Sequence, residues 1–172
     1  AAMPREMDRD DIRTVVQAFR EAADRSLSAG FDICEVHGAH GYLIHQFLSP
    51  VSNRRMDGYG GDRAGRMRFA LEVVEAVRKV WPSDNPLFFR VSAVDGKGGQ
   101  WAMDDTVVLA QSLTERGVDV IDCSSGGITG DSDMVAPSYA PGYQVGFAER
   151  VRREVQTRTM AVGLLTDPGQ VE

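Results

Sequence analysis

Cysteine is scarce: the 172 residues contain two, which excludes a disulfide-stapled scaffold. Cys34 and Cys123 are far apart and each lies in an apolar run, so buried, reduced thiols in a cytoplasmic protein are expected. Long hydrophobic runs are missing too. No stretch approaches the ~18 consecutive apolar residues of a membrane span. The opening Ala1-Ala2-Met3-Pro4-Arg5-Glu6-Met7-Asp8 is not followed by the apolar segment of a secretory signal. A basic surplus is also lacking, with 19 Lys and Arg against 25 Asp and Glu, net charge −6 and pI ≈ 5.1. That balance disfavours a nucleic-acid partner. What is present, 42% hydrophobic and 26% charged residues at mean hydropathy −0.25, suits a globular domain with a sizeable core.

The apolar residues recur with two alternating periods. Ile12, Val15, Val16, Phe19, Ala22, Ala23 and Leu27 form one stripe of a helix over Asp10–Ala29, closed by Gly30. Phe31–His37 reads as a strand. Arg66–Val80 reads as a helix stopped by Pro82, and Leu87–Ser92 as a second strand. Asp104–Arg116 is a helix opened by an acidic pair, followed by the strand Val118–Cys123. Val145–Val155 is a helix, Met160–Leu165 a fourth strand, and another helix begins at Pro168.

Strict alternation of this kind predicts a parallel sheet covered by helices. A doubly wound open sheet and part of a (β/α)8 barrel both satisfy it. The Gly-rich phosphate fingerprint of dinucleotide folds follows none of the strands. Polar residues gather instead at strand C-terminal ends: His37 and His40, Arg90 and Ser92, Ser124 and Ser125, Gly163. That placement is the barrel habit, although open sheets share it. Four strands cannot close a barrel, which typically takes ~250 residues.

The densest chemistry is His37-Gly38-Ala39-His40-Gly41-Tyr42, where the first strand enters a loop. Two imidazoles three residues apart can aim N–H groups at one ligand oxygen, and Tyr42 adds a phenol able to deliver a proton. A zinc reading uses His37, His40 and His45, with Asp57 and Cys34 as further ligands, but it lacks the carboxylate of the His-Glu-x-x-His pattern. Two structural histidines are the plainer alternative. The following Gln46–Gly61 segment is polar, Gly-rich and longer than a connection needs, as functional loops often are. A solvated insertion with arginines paired to Asp57 and Asp62 explains it nearly as well.

His37-Gly-Ala-His-Gly-Tyr-Leu, Gln46-Phe-Leu-Ser-Pro, Ser52-Asn-Arg-Arg, Tyr59-Gly-Gly and Arg66-Met-Arg-Phe together resemble the Old Yellow Enzyme family of FMN-dependent ene-reductases. Arg90-Val-Ser-Ala, Asp122-Cys-Ser-Ser-Gly-Gly, Pro141-Gly-Tyr-Gln-Val and Ala161-Val-Gly-Leu-Leu-Thr-Asp extend the likeness in the same order over essentially the whole chain. The branch it is most similar to is the bacterial thermophilic-like one with a His/His pair. Met56, Gly58 and Asp62-Arg63-Ala64-Gly65 depart from the family's usual loop.

The resemblance implies a partial (β/α)8 TIM barrel, with residues 1–172 as one partial domain matching the fourth to seventh strands. Strands one to three and eight, with their flavin-contacting glutamine and phosphate-holding Gly-Arg, have no counterpart in these residues. It implies that His37 and His40 hold the carbonyl oxygen of an α,β-unsaturated substrate and that Tyr42 donates the proton. Arg90 would stand by the flavin N1/O2 edge, and Gly163 near the FMN phosphate or ribityl chain. FMN is then the cofactor, NADPH or NADH the hydride donor, and no metal is required. For Arg90 a barrel-layer residue paired with a carboxylate is the plain alternative, and for Gly163 a tight turn.

Two other functions are consistent with the residues: a non-catalytic half-barrel that associates through its strand edges, and a metal-dependent barrel hydrolase using His37 and His40. For the 172 residues alone, uncovered edges and an uncovered inner face carrying Val36, Phe89, Ile121 and Val162 predict a homo-oligomer or a marginal, aggregating chain. FMN binding by these residues alone is expected to be weak.

Overall fold

A computed structural model describes residues 5–96, 99–128 and 140–170 of the chain. The order is α1 (Arg9–Ser28), β1 (Cys34–Gly38), α2 (Leu43–Leu48), α3 (Arg63–Arg78), β2 (Leu87–Ser92), α4 (Met103–Thr114), β3 (Val120–Ser124), α5 (Val145–Val155) and β4 (Arg158–Ala161), then one 3-10 turn, Pro168–Gln170. Local chemistry accounts for most boundaries. The Asp8 carboxylate accepts the Asp10 and Asp11 N–H groups, while Asp11 accepts from the Asp8 N–H, a reciprocal cap for α1. Asp62 caps α3 by accepting the Gly65 N–H, so that helix starts three residues before the apolar pattern suggests.

All four strands run parallel in the order β1-β2-β3-β4. Each strand is therefore added on the same side of its predecessor. A doubly wound sheet reverses direction at a switch point, and this one does not. Successive right-handed crossovers in one direction place the helices on a single face, as in a barrel wall.

That face holds the core. Val36, Phe89 and Ile121 lie level with one another across β1, β2 and β3. All three are essentially inaccessible, beneath an apolar cluster that includes Val73, Val74 and Val77 of α3 and Leu109 and Leu113 of α4. The expectation that Val36, Phe89 and Ile121 point inward is thus overturned. They alternate with Glu35, Phe88 and Val120, and it is this second set that lies on the face without helices. Val162, the fourth residue of that expectation, lies just past β4 and is half-buried.

Two further boundaries move. β1 begins at Cys34, leaving Phe31 and Ile33 largely exposed. β4 occupies Arg158–Ala161, not Met160–Leu165, because Gly163 and Leu164 have φ of 103° and 53°, outside any strand. The α2 helix was not expected at all. Ile44, Phe47 and Leu48 bury one side of it, and the segment that follows is an ordered loop. There the buried Asn53 amide donates to the Phe47 and Tyr59 carbonyls, and Arg55 pairs with Asp57 while lying over the Phe47 ring. The Asp57 pairing agrees with the expectation, whereas Asp62 serves as the cap of α3.

Among the described residues no helix is long and apolar enough to cross a membrane. Both cysteines are free thiols. Cys123 is buried, which pushes its thiol up to about 12, and Cys34 is half-buried.

Candidate functional site

The C-terminal ends of the strands bring three of the predicted residues into one cluster. The His37 and His40 rings lie 5.2 Å apart, and the Tyr42 ring stands 5.4 Å from His37. His37 is the last-but-one residue of β1, on the helix-free face, level with Arg90 and Asp122 on the neighbouring strands. His40 and Tyr42 follow in the loop, with Tyr42 largely exposed. Among the described residues nothing hydrogen-bonds the His37 ring or the Tyr42 hydroxyl, so both are available to a ligand.

His40 is held in an unusual conformation. Its φ is 57°, a left-handed geometry that costs a residue with a side chain about 1–2 kcal/mol. Such strain persists only where the surroundings over-determine it. Here the His40 N–H donates to the Ser92 Oγ at 2.9 Å, and the next N–H, of Gly41, donates to the His45 Nδ1 at 3.0 Å. The Gln46 amide donates to the Gly41 carbonyl. Gly41, with φ 75°, has no room for a side chain, since a Cβ would fall 2.1 Å from the Gly127 carbonyl oxygen. The loop is thus pinned at the two N–H groups that flank the His40 Cα and at the Gly41 carbonyl.

That ring meets the Ser124 Oγ through Nε2 at 2.7 Å. Ser124 in turn accepts from the buried Gln144 amide, which also donates to Ser125. Gln144 backs onto Gly163, whose φ is 103°. A Cβ there would lie 2.7 Å from the Gln144 Oε1 and 2.8 Å from the Tyr143 ring. Gly163 is thereby connected to the histidine pair through side chains of β3 and the segment before α5. The sequence places Ser92, Ser124 and Ser125 among the polar residues at strand ends without giving them a partner, and Gln144 only within the Pro141–Val145 motif. The position of Ser92 directly after Arg90-Val91, at the strand end, was the available signal.

The electrostatics favour neutral imidazoles. Burial, then the Arg90 cation, holds the His37 and His40 rings below the usual histidine range. At neutral pH each ring is then a single N–H donor. Arg90 lies beside Asp122, with Nε 3.2 Å from a carboxylate oxygen. The angle makes no hydrogen bond, so Arg90 Nε and both Asp122 oxygens are buried without a hydrogen-bond partner among the described residues. Burial pushes the Asp122 carboxyl above the ordinary range against the pull of Arg90 and His37. Glu35, also on the helix-free face, is raised by burial and then by Asp122.

The zinc set is not assembled. His45 is committed through both ring nitrogens, to Gly41 and to Asp95, while Asp57 is bound to Arg55 and to the Tyr59 N–H. Among the described residues no three His, Cys, Asp or Glu side chains converge on one point.

The one-directional parallel sheet thus carries the paired imidazoles, the tyrosine and the arginine at the C-terminal rim of its strands. The chain belongs to the NADH:flavin oxidoreductase / NADH oxidase family, whose model matches residues 1–172. This is the family membership that the motifs implied. The chain is 50% identical over 169 residues to an NADPH dehydrogenase of Geobacillus sp. (strain WCH70), and 46% identical over 172 residues to one of Bacillus subtilis (strain 168). It spans 48% and 49% of those two proteins, about half their length. Among solved structures, morphinone reductase in complex with tetrahydroNAD is similar with TM-score 0.77 and 31% identity, over 98% of this chain and 43% of that one. A 2-naphthoyl-CoA reductase complex matches with TM-score 0.87 and 26% identity, over 97% of this chain and 26% of that one.

The residues present suit the flavin that the family name implies. Arg90 offers a half-buried cation on the helix-free face, with a buried Nε that has no hydrogen-bond partner among the described residues. Gly163 offers a bare backbone where a side chain cannot stand.

Proposed function

We propose that the complete protein is an FMN-dependent NAD(P)H oxidoreductase that reduces the activated C=C bond of α,β-unsaturated carbonyl compounds. The observation that carries this reading is the pair of neutral imidazoles with ring centres 5.2 Å apart, beside a tyrosine whose hydroxyl has no hydrogen-bond partner among the described residues. The roles follow from the chemistry of the side chains. His37 and His40 each donate an N–H to the substrate oxygen and so draw electron density from the alkene. Two donors aimed at a developing enolate can lower a barrier by several kcal/mol. Tyr42 holds a proton at its hydroxyl for the α-carbon.

The chemistry FMN supplies when bound is the two-electron relay between the nicotinamide and the substrate. Arg90 would hold the pyrimidine edge of its ring, and Gly163 would let the backbone approach its ribityl phosphate. This part of the proposal rests on the family membership and on the buried Arg90 Nε without a hydrogen-bond partner among the described residues. The same reading puts the protein in the cytoplasm, where free thiols persist, as a homo-oligomer. The 172 residues by themselves are expected to be inactive, because β1 and β4 each have one strand neighbour among the described residues.

The test is made on the complete barrel. Purified protein should be yellow, or turn so on addition of FMN, and with oxygen excluded should turn over NADPH or NADH only when a cyclic enone is supplied. Protein that stays colourless in excess FMN, or flavin-loaded protein that leaves enones untouched, contradicts the proposal.

A further inference from the structure

His45 lies outside the reaction just proposed, yet it is among the most enclosed polar side chains in the molecule. Both ring nitrogens are used. Nδ1 accepts the Gly41 N–H at 3.0 Å, and Nε2 faces the Asp95 carboxylate at 2.9 Å. An acceptor at one nitrogen and a carboxylate at the other require a single tautomer, with the proton on Nε2. Asp95 also accepts from the Ser49 hydroxyl and from the Gln100 and Trp101 N–H groups, so the carboxylate itself is held by α2 and by the loop before α4.

The consequence falls on His40. Two peptide N–H groups flank this left-handed residue, and each is received by a side chain from another element. The His40 N–H, which reports its φ, goes to Ser92 on β2. The Gly41 N–H, which reports its ψ, goes to His45 on α2. Ser92 is anchored by donating to the Gly126 carbonyl, and His45 by donating to Asp95. A leucine would fill the same volume on α2 but would leave the Gly41 N–H without its acceptor and Asp95 without one of its donors.

We infer that His45 is a positioning residue: by locking its Nε2–H tautomer, Asp95 presents the His45 Nδ1 to the Gly41 N–H, which fixes the backbone that aims the His40 imidazole at the substrate oxygen. This inference rests on the proposed oxygen-binding role of His40.

Three variants of the complete, flavin-loaded barrel separate positioning from simple support. His45→Asn keeps an oxygen where Nδ1 was but loses the reach to Asp95. His45→Gln keeps an N–H donor toward Asp95 but loses the acceptor for Gly41. His45→Leu loses both. Amide hydrogen exchange of the 38–46 segment, affinity for a phenol and the thermal midpoint are read in each. We expect the Leu and Gln variants to exchange at least tenfold faster in that segment and to bind phenol at least tenfold more weakly. The Asn variant should stay within about threefold of the parent in both, although its midpoint falls as far as that of the Leu variant.

The inference is overturned if phenol affinity follows the thermal midpoint across the three, with Gln restoring both or Asn restoring neither. It is equally overturned if exchange in the segment is unchanged by leucine. Absence of phenol binding in the parent protein would refute the oxygen-binding role instead, and the exchange data would still decide whether His45 holds the loop.

Discussion

Asp95 and Asp122 both have carboxylates with no accessible surface, and their surroundings are opposite. Asp95 collects hydrogen bonds from His45, Ser49, Gln100 and Trp101. Burial works against its charge, but those donors outweigh burial and hold it below the ordinary carboxylate range. Asp122 has Arg90 and His37 for neighbours and no hydrogen bond among the described residues, so burial prevails and its carboxyl is raised. One aspartate ties loops together behind the site. The other lies on the helix-free face, level with His37 and Arg90. A fully satisfied buried charge serves architecture, whereas an unsatisfied one beside a cation and a histidine is a candidate for function.

The strongest way to break the comparison is Asp95→Ala. It leaves four donors without their acceptor, two of them side chains that link α2 to this loop. A loss of about 3–5 kcal/mol is expected, from the penalty for breaking a buried charged network, and urea unfolding would show it as a large drop in midpoint. The pH dependence follows from the sign of the shift. A carboxyl depressed in the folded state adds stability above its unfolded value of ~3.9, and this stability is lost as pH falls through the depressed value. Asp95→Asn should therefore flatten the acid limb of the stability profile. An unchanged limb would mean the four donors do not hold the charge.

A medium effect is expected at Ser92. Ser92→Ala removes the acceptor of the His40 N–H and the donor to the Gly126 carbonyl, both in buried surroundings. About 1–3 kcal/mol should be lost, with the left-handed His40 relaxing toward an ordinary conformation. Equal stability of Ser92→Ala and parent in thermal melts would show that the loop does not need this anchor.

The smallest effect belongs to Asp122, and it sharpens the contrast. Because its carboxyl is raised in the folded state, stability is greatest below ~3.9 and declines as pH rises from there to the raised value. Asp122→Asn removes that decline. Near neutral pH the net change should stay within ~1 kcal/mol, since the lost attraction to Arg90 offsets the relief of a desolvated charge. A loss of several kcal/mol in denaturant titration would mean that the 3.2 Å approach to Arg90 is a stronger pair than its geometry indicates.

How much of this is legible in the sequence depends on the distance over which the cause acts. The long helices are legible because Val73, Val74 and Val77, or Leu109 and Leu113, repeat at helical spacing and the buried set obeys it, whereas the six residues of α2 are too few to show a period. The grouping of Val36, Phe89 and Ile121 on one face is legible too. Which face is not, because Phe88 adjoins Phe89 and Val120 adjoins Ile121, so apolar residues occur on both sides of the sheet. The end of β4 depends on left-handed backbone at Gly163 and Leu164, and a leucine carries no signal of that conformation. His37, His40 and Tyr42 are local to one loop and could be read together. His45 and Asp95 are 50 residues apart, and only the fold brings them into contact.

The claim on which the account turns is that His37 and His40 bind one oxygen together. Phenol titration of the complete, flavin-loaded barrel tests it directly, with His37→Ala, His40→Ala and the double variant beside the parent. The account predicts at least a tenfold loss of affinity for each single variant, about 1.4 kcal/mol, and a double loss smaller than the sum because the two donors share one acceptor. Single variants that bind phenol as tightly as the parent would contradict it.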